Sequence, residues 1–181
     1  MISLNVIRSY KRRADIVFKS RFLSKLALHE RYELIQLCHR RKYRAGEYIY
    51  FQGDPGTGMY FIEEGMVNLI VETTDEDGNK PTFSLGPADT FGALSVGYEI
   101  RRMSSAQCVT DCTLLGFFRP DFQSLRDRHP LIAIKFMEVI AMIAVKQLER
   151  TTKALLAATD ITTAYSLQFD TYKYSDENEP S

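Results

Sequence analysis

Residues 44–92 constrain the fold of this chain most, because turn residues interrupt a run of β-branched and aromatic residues every few positions. That composition favours short strands over helices. The segment GDPGTG at 53–58 supplies proline and glycine for tight turns, and the Asp-Gly pair of DEDGNK at 75–80 is a strong hairpin signal. Strands at this even spacing predict a barrel or roll. We interpret four glycines as turn residues, namely Gly53, Gly56, Gly65 and Gly86.

Helical patterns flank this block on both sides. Between residues 4 and 41 apolar residues recur at helical spacing, so two or three amphipathic helices are expected. Residues 107–118 return to strand character, and residues 119–130 are typical of a short helix capped by Asp121. The predicted fold class is therefore α+β: an antiparallel β-roll, a jelly-roll-like double-stranded β-helix, flanked by N-terminal helices and a long C-terminal helix.

The long C-terminal helix is expected over residues 131–158, which contain neither glycine nor proline and are rich in helix formers. Its first half is apolar nearly all round. A membrane span needs ~20 apolar residues, and Lys135 and Glu138 interrupt a stretch that is already shorter, so no membrane contact is expected. All-round apolarity instead requires burial against protein on more than one side. One face is expected to pack on the roll, and the other needs a partner.

Composition limits the function classes. The chain has 181 residues and a formal net charge of zero, which suits one globular domain and provides no basic excess for nucleic acid. The three cysteines are widely spread, so neither a disulfide framework nor a cysteine metal site is expected. Cys108 and Cys112 are expected to share one face of a regular strand as core thiols. The first residues lack the apolar stretch of a signal peptide, so a cytoplasmic location is expected.

The sequence contains no recognisable catalytic constellation. Its three histidines, His29, His39 and His129, are scattered among charged residues, without a partner at metal or triad spacing. No nucleophile stands beside a base. We therefore expect a protein that is not an enzyme and that carries no metal and no cofactor.

Four segments, taken in order, are similar to one known family. They are FLSKLALHERYELIQLC, YRAGEYIYFQGDPGTGMYFIEEGMVNLIV, SLGPADTFG and RMSSAQCVTDCTLL. The chain resembles the cyclic nucleotide-binding domain family, the β-roll module of bacterial catabolite activators, cyclic-nucleotide-dependent kinases and gated channels. The resemblance spans roughly Phe22 to Ala158 and implies a regulatory role in signal transduction. It divides the chain into a helical extension (1–21), a cyclic nucleotide-binding-like domain (22–158) and a polar, acidic tail (159–181).

The resemblance also implies a ligand site. In this family a phosphate-binding cassette begins at Phe-Gly, runs through a short helix, and ends in arginine followed by small residues and a serine or threonine. N–H groups at the helix start then face the anion, and the arginine supplies a planar fork for the phosphate oxygens. Ser95 takes the place of the small residue near the phosphate, and Ser105 takes that of the family's serine or threonine. The implied ligand-binding residues are Phe91, Gly92, Ala93, Leu94, Ser95, Arg102, Ser104 and Ser105.

Ala93 departs from the family pattern, because functional members place a glutamate there to bind the ribose 2′-hydroxyl. Losing a hydrogen bond to a charged group, roughly 1.5 to 3 kcal/mol, predicts binding roughly ten- to hundredfold weaker. Glu99 lies toward the far end of the cassette and is not expected to replace the missing carboxylate. Two hypotheses stay open: a domain that senses cAMP or cGMP and signals through its C-terminal helix, or a degenerate module that no longer binds nucleotide and acts as a dimeric protein-interaction scaffold.

Partners are also implied by the resemblance. In relatives the long helix forms a parallel dimer seam, so a homodimer through residues 131–158 is expected. DNA-binding relatives append a winged helix-turn-helix of roughly 70 to 80 residues, whereas about twenty polar, acidic residues follow the helix here, so no direct DNA binding is expected. An effector protein, whose identity the sequence does not indicate, would then contact the helix.

Overall fold

The computed structural model describes residues 15–73, 78–159 and 161–162. The helical expectation for residues 4–14, part of the 75–80 turn, and the acidic tail beyond residue 162 lie outside the described residues. Contacts divide the chain into two compact units, one that ends at Ile140 and one that begins at Ala141.

Helices precede and follow a block of eight strands among the described residues. Residues 15–19 are helical, and a 3₁₀ turn follows at Phe22–Lys25. The helices are α1 Leu28–Gln36, α2 Leu94–Gly97, α3 Arg119–Arg128 and α4 Pro130–Ala158. The strands are β1 His39–Tyr43, β2 Tyr48–Tyr50, β3 Gly58–Glu64, β4 Val67–Ile70, β5 Thr82–Leu85, β6 Thr90–Phe91, β7 Ser105–Cys108 and β8 Cys112–Phe118.

Two four-stranded antiparallel sheets form a roll. Sheet A has the strand order β1-β8-β3-β6, and sheet B has the order β2-β7-β4-β5. Each consecutive strand moves to the other sheet, except at the β4–β5 hairpin, where the Asp-Gly signal lies between two strands that pair antiparallel. The predicted α+β roll, with flanking helices and a long C-terminal helix, is confirmed.

Strand β1 includes residues 39–41, for which the sequence predicts helix, so that expectation is wrong there. The strand reads HRRKY, and its first four residues are exposed. It lies at the edge of sheet A, where β8 is its single partner among the described strands, and its charged side chains reach solvent. An edge strand of this kind has no apolar alternation from which a strand could be predicted.

Residues 107–118 form parts of two strands, so the single strand expected there is wrong. β7 ends at Cys108 in sheet B, and β8 begins at Cys112 in sheet A. Both cysteines are nevertheless buried in one core cluster inside the roll. Burial, together with a hydrogen bond between the two thiols, raises the pKa of Cys108 to about 12. The Cys108 thiol is therefore neutral, and both cysteines are core residues, as expected, although they come from different strands.

The face of sheet A opposite the roll interior packs against helices. Alternation along β3 places Tyr60 and Ile62 toward the interior core cluster and Phe61 on the opposite face. Phe136 of α4 is fully buried, and its ring centroid lies 5.3 Å from those of Phe22 and Phe117. The first turns of α4 are thus part of the same unit as the roll.

A partly buried ion pair also joins α1 to α4. The Nζ atom of Lys135 lies 2.6 Å from Oε1 of Glu30, whose other carboxylate oxygen accepts a hydrogen bond from the backbone N–H of Ala27. The hydrogen bond from Lys135 lowers the pKa of Glu30, so this carboxylate is charged at neutral pH. Lys135, which interrupts the apolar stretch of the helix, therefore has a partner within the fold. No described helix has both the length and the apolarity that crossing a membrane requires.

Asp121 is the third residue of α3 and not its cap. The residue that precedes the helix is Phe118, whose backbone N–H donates a 2.8 Å hydrogen bond to Oδ2 of Asp121. The Asp121 carboxylate thus satisfies a free N–H at the helix start, as expected, but from inside the first turn. Its Oδ1 atom also lies 2.9 Å from Nε2 of His39.

The second unit contains the remainder of α4 and exposes several apolar side chains. Met142, Val145 and Leu148 are among its exposed large hydrophobic residues. Lys153 and Glu149, one helical turn apart, form an ion pair on the same segment.

Candidate functional site

Gly92 opens the candidate site immediately after β6, and it adopts a positive φ of 76°. A Cβ atom at this position would lie 2.5 Å from Nη1 of Arg102 and 3.0 Å from the carbonyl oxygen of Gly58. Any other residue would therefore meet both backbone strain and a steric clash. The Phe-Gly pair predicted from the sequence is thus where the chain turns beside Arg102.

Arg102 is the charged group at the centre of the site, and its exposed fraction is only 6%. Its Nη2 atom donates a 2.8 Å hydrogen bond to the carbonyl oxygen of Gly58, and its Nη1 atom donates a 3.2 Å bond to Oγ of Ser95. Its Nε atom is buried without a hydrogen-bond partner. Among residues 15–73, 78–159 and 161–162, no carboxylate forms an ion pair with Arg102. The guanidinium charge therefore has only neutral partners.

An aromatic cluster lies beneath Arg102 and joins the two sheets. The Cζ atom of Arg102 lies 4.1 Å from the ring centroid of Tyr50, a residue of sheet B. In sheet A, the rings of Tyr60 and Phe91 are stacked with centroids 5.3 Å apart, and both approach Tyr50. Burial raises the pKa of Tyr50 to about 12 despite the nearby arginine, so its hydroxyl is neutral at physiological pH.

The loop at 53–58 is hydrogen-bonded to the end of the cassette. The backbone N–H of Gly53 donates to the carbonyl of Arg102, and the backbone N–H of Arg102 donates to the carbonyl of Asp54, both at 2.9 Å. A Cβ atom at Gly56 would clash with Oγ of Ser95 and lie 2.6 Å from the carbonyl oxygen of Ile100. Gly56 therefore permits close packing of loop and cassette, in addition to the turn role expected from the sequence.

Arg119, the first residue of α3, connects that helix to the cassette. Its guanidinium donates hydrogen bonds to the carbonyl oxygens of Gly56, Ser95 and Tyr98, at 3.0, 3.3 and 2.9 Å. Its Nη1 atom lies 3.2 Å from Oε1 of Glu99. Ser95 is consequently shared, because its hydroxyl accepts from Arg102 while its carbonyl accepts from Arg119.

The other residues predicted for the site lie along the same segment. Ala93 and Leu94, at the start of α2, are half-buried, and no side chain caps this helix. Ser104 is half-buried as well. The buried Ser105 hydroxyl donates to Oε1 of Glu72 at 2.7 Å and accepts from the backbone N–H of Gln52 at 3.0 Å.

Glu99, the acidic residue of the cassette, lies at the surface. Its side chain is 90% exposed and is paired with Arg119. Across the described parts of the chain, no cluster of three or more metal-ligating side chains occurs.

Two residues of this arrangement were not identified from the sequence. Tyr50 lies 41 residues before Phe91, and Arg119 lies 14 residues after Ser105, so the fold brings each of them to the cassette. A tyrosine in a strand and an arginine before proline carry no local signal of such a role.

Comparison with known proteins identifies the family. Residues 40–129 match the family model described as the cyclic nucleotide-binding domain. The "Cyclic AMP receptor protein" of Thermus thermophilus is 38% identical over 103 residues, which cover 56% of this chain and 47% of that protein. The chain thus spans about half the length of that relative.

Solved structures agree with the sequence comparison. The Thermus thermophilus catabolite activator protein superposes with a TM-score of 0.63 at 33% identity, covering 77% of this chain and 63% of that one. The N-terminal domain of a transcriptional regulator from Streptomyces coelicolor gives a TM-score of 0.65 at 24% identity, covering 74% of this chain and 94% of that one. Through residues 40–129 the chain belongs to the cyclic nucleotide-binding domain family.

Proposed function

We propose that this chain is a cytoplasmic regulatory domain that binds cAMP or cGMP through residues 91–105 and passes the signal to an effector protein through its C-terminal helix. The observation that carries this proposal is the buried guanidinium of Arg102, which has no anionic partner among the described residues. Removing a charge from water costs several kcal/mol unless an opposite charge compensates it. A bound phosphate would supply that charge.

The groups around Arg102 suit a cyclic phosphate. The guanidinium is planar and presents donors in a fixed fork, which matches two phosphate oxygens. Gly92 has no side chain, so the backbone of residues 92–95 approaches the guanidinium closely. Ser95 would place its backbone beside the same anion, since its hydroxyl already contacts Arg102.

Signal transfer would use the contacts of Arg119. A ligand that draws Arg102 and Ser95 together moves Ser95, and the carbonyl of Ser95 accepts a hydrogen bond from Arg119. Because Arg119 begins α3, a shift of the cassette changes the position of that helix, and α4 follows it after one residue. The ligand shifts the equilibrium between the two positions of α3 only to the extent that its affinities for the two states differ.

Isothermal titration with cAMP and cGMP up to millimolar concentration tests the proposal. We expect saturable binding by the wild type and a loss of roughly a hundredfold or more in the Arg102→Ala variant, because two hydrogen bonds to a charged group disappear. Arg101→Ala is the matched control: the Arg101 side chain is exposed and, within the described residues, its hydrogen-bond partner is the carbonyl of Gly53, so the variant's binding should stay within about threefold of the wild type. Equal binding by both variants would contradict the proposed site.

The alternative is a degenerate module that acts as a dimeric protein-interaction scaffold. Ala93 favours it, since no carboxylate stands at the start of α2 to accept a hydrogen bond from a ribose hydroxyl. Absence of heat at millimolar nucleotide, from protein whose circular dichroism shows the folded state, would support the scaffold and exclude the sensor.

The domain acts as a homodimer through residues 131–158. Exposed apolar residues support this proposal in both units: Leu131 and Ile134 in the first, and Val145 and Leu148 in the second. Leu131 and Ile134 are three residues apart, as are Val145 and Leu148, and the two pairs lie 14 residues apart, so they occupy the same two positions of a heptad, as in a coiled-coil seam.

Multi-angle light scattering measures this assembly directly, and we expect twice the mass of the chain. Val145→Glu should shift the protein to monomer, because two buried carboxylates would then face each other across the seam. Gln147→Glu adds the same charge on the exposed surface outside the seam and should leave the dimer intact. A wild-type mass that stays monomeric at working concentration would exclude the homodimer.

A further inference from the structure

The ring of Tyr50 stabilises the charge of Arg102. Its guanidinium carbon lies 4.1 Å from the ring centroid of Tyr50, well inside the distance of about 6 Å at which a cation and a ring attract each other. The hydrogen-bond partners of the guanidinium at Gly58 and Ser95 are neutral, and this ring adds a further electrostatic contact to the buried charge. Arg102 is thus positioned before any ligand arrives.

Tyr50 packs against two other aromatic rings. It belongs to β2 of sheet B, and its ring approaches those of Tyr60 and Phe91 in sheet A at centroid distances of 6.4 and 6.0 Å. These three rings, Tyr50, Tyr60 and Phe91, form a platform between the two sheets. The Tyr50 ring of this platform lies against the guanidinium carbon of Arg102, whose Nε atom is buried without a hydrogen-bond partner.

We infer that Tyr50 is a positioning residue for the anion site: its ring takes the place of a counterion for Arg102 and holds the guanidinium edge toward the phosphate of a cyclic nucleotide. This inference deepens the proposed nucleotide site and rests on it. Pre-positioning lowers the ordering cost of binding, so loss of the ring should weaken the affinity.

Three substitutions of Tyr50 distinguish the effect of its aromatic face from the effects of its hydroxyl and of its volume. Tyr50→Phe keeps the aromatic face, Tyr50→Leu removes it while retaining an apolar side chain, and Tyr50→Trp presents the strongest cation-binding face. Because the chain contains no tryptophan, Tyr50→Trp also introduces a single indole whose fluorescence reports on Arg102. Tyr48→Leu is the matched control, since Tyr48 lies on the same strand, is more exposed, and stacks on Phe51.

Isothermal titration with the better-bound cyclic nucleotide gives the expected ranking. Wild type, Tyr50→Phe, Tyr50→Trp and Tyr48→Leu should bind alike, while Tyr50→Leu should bind roughly 2- to 30-fold more weakly. Nucleotide should also change the emission of Tyr50→Trp, and the change should disappear when Arg102→Ala is added. If Tyr50→Leu binds as tightly as the wild type, the inference is overturned while the nucleotide site stands.

A ligand-free measurement distinguishes failure of this inference from failure of the proposed function. Urea unfolding of wild type, Tyr50→Leu, Arg102→Ala and the double variant yields the coupling between the two side chains. A coupling equivalent to a roughly 2- to 30-fold change in the unfolding equilibrium constant supports the stack, even if the wild type binds no cyclic nucleotide. Additive effects of the two substitutions would overturn it.

Discussion

Replacing Ala93 with glutamate is expected to tighten cyclic nucleotide binding roughly ten- to hundredfold, the value of one hydrogen bond to a charged group. Ala93 stands at the start of α2, is half-buried, and makes no capping hydrogen bond. A carboxylate introduced there follows Gly92 directly and takes the position at which the family pattern has its ribose-binding glutamate. Isothermal titration of Ala93→Glu against the wild type measures the gain.

Two controls test whether the gain in affinity comes from a hydrogen bond between the new carboxylate and the ribose 2′-hydroxyl. Ala93→Gln has nearly the same shape but no charge, so its gain should be smaller than that of Ala93→Glu. A 2′-deoxy cyclic nucleotide lacks the hydroxyl group in question, so Ala93→Glu should bind it no more tightly than the wild type does. An equal gain for the deoxy ligand would mean that the new carboxylate acts in some way other than through the ribose.

Truncating Phe136 to alanine is expected to destabilise the protein by about 3 to 5 kcal/mol, the usual cost of removing a fully buried aromatic ring. Its exposed fraction is 0%. The ring packs against Phe22, Phe117 and Phe122 at centroid distances of 5.3 to 5.5 Å, so the cavity would open between α4, the N-terminal turn and sheet A. Urea unfolding measured by circular dichroism gives the loss.

Phe18→Ala is the matched control for this measurement. Phe18 is the same residue type on the helical segment 15–19, but its exposed fraction is 60%. Its truncation should cost less than about 1 kcal/mol, because little apolar area leaves contact. Similar losses for the two variants would show that Phe136 does not anchor α4 as described.

Much of the fold could be predicted because its signals are local. Turn residues around 53–58 and 75–80 separate apolar strands, and the absence of glycine and proline from 131–158 identifies the long helix. Strand β1 could not be predicted in this way. Its first four side chains are histidine, arginine and lysine and are exposed, and the segment forms a strand through its pairing with β8.

The candidate site could also be predicted only where its residues form a local motif. Phe91, Gly92 and Arg102 lie within one short motif, and the positive φ of Gly92 explains why that motif requires glycine. Tyr50 and Arg119 come from distant strands and helices, so only the folded chain brings them to the cassette. Burial of Arg102 without a counterion is likewise a property of packing and has no sequence signal.

The edges of the two sheets bear on how copies of this protein meet. At one edge of sheet A, β1 presents exposed histidine, arginine and lysine side chains, and β6 at the other edge is only two residues long. At one edge of sheet B, β2 has only three residues. Like charges repel, and short strands offer few backbone groups, so crowded molecules have little means of joining strand to strand at these edges. These three edges should therefore contribute little to the slow growth of fibrils that open sheet edges promote.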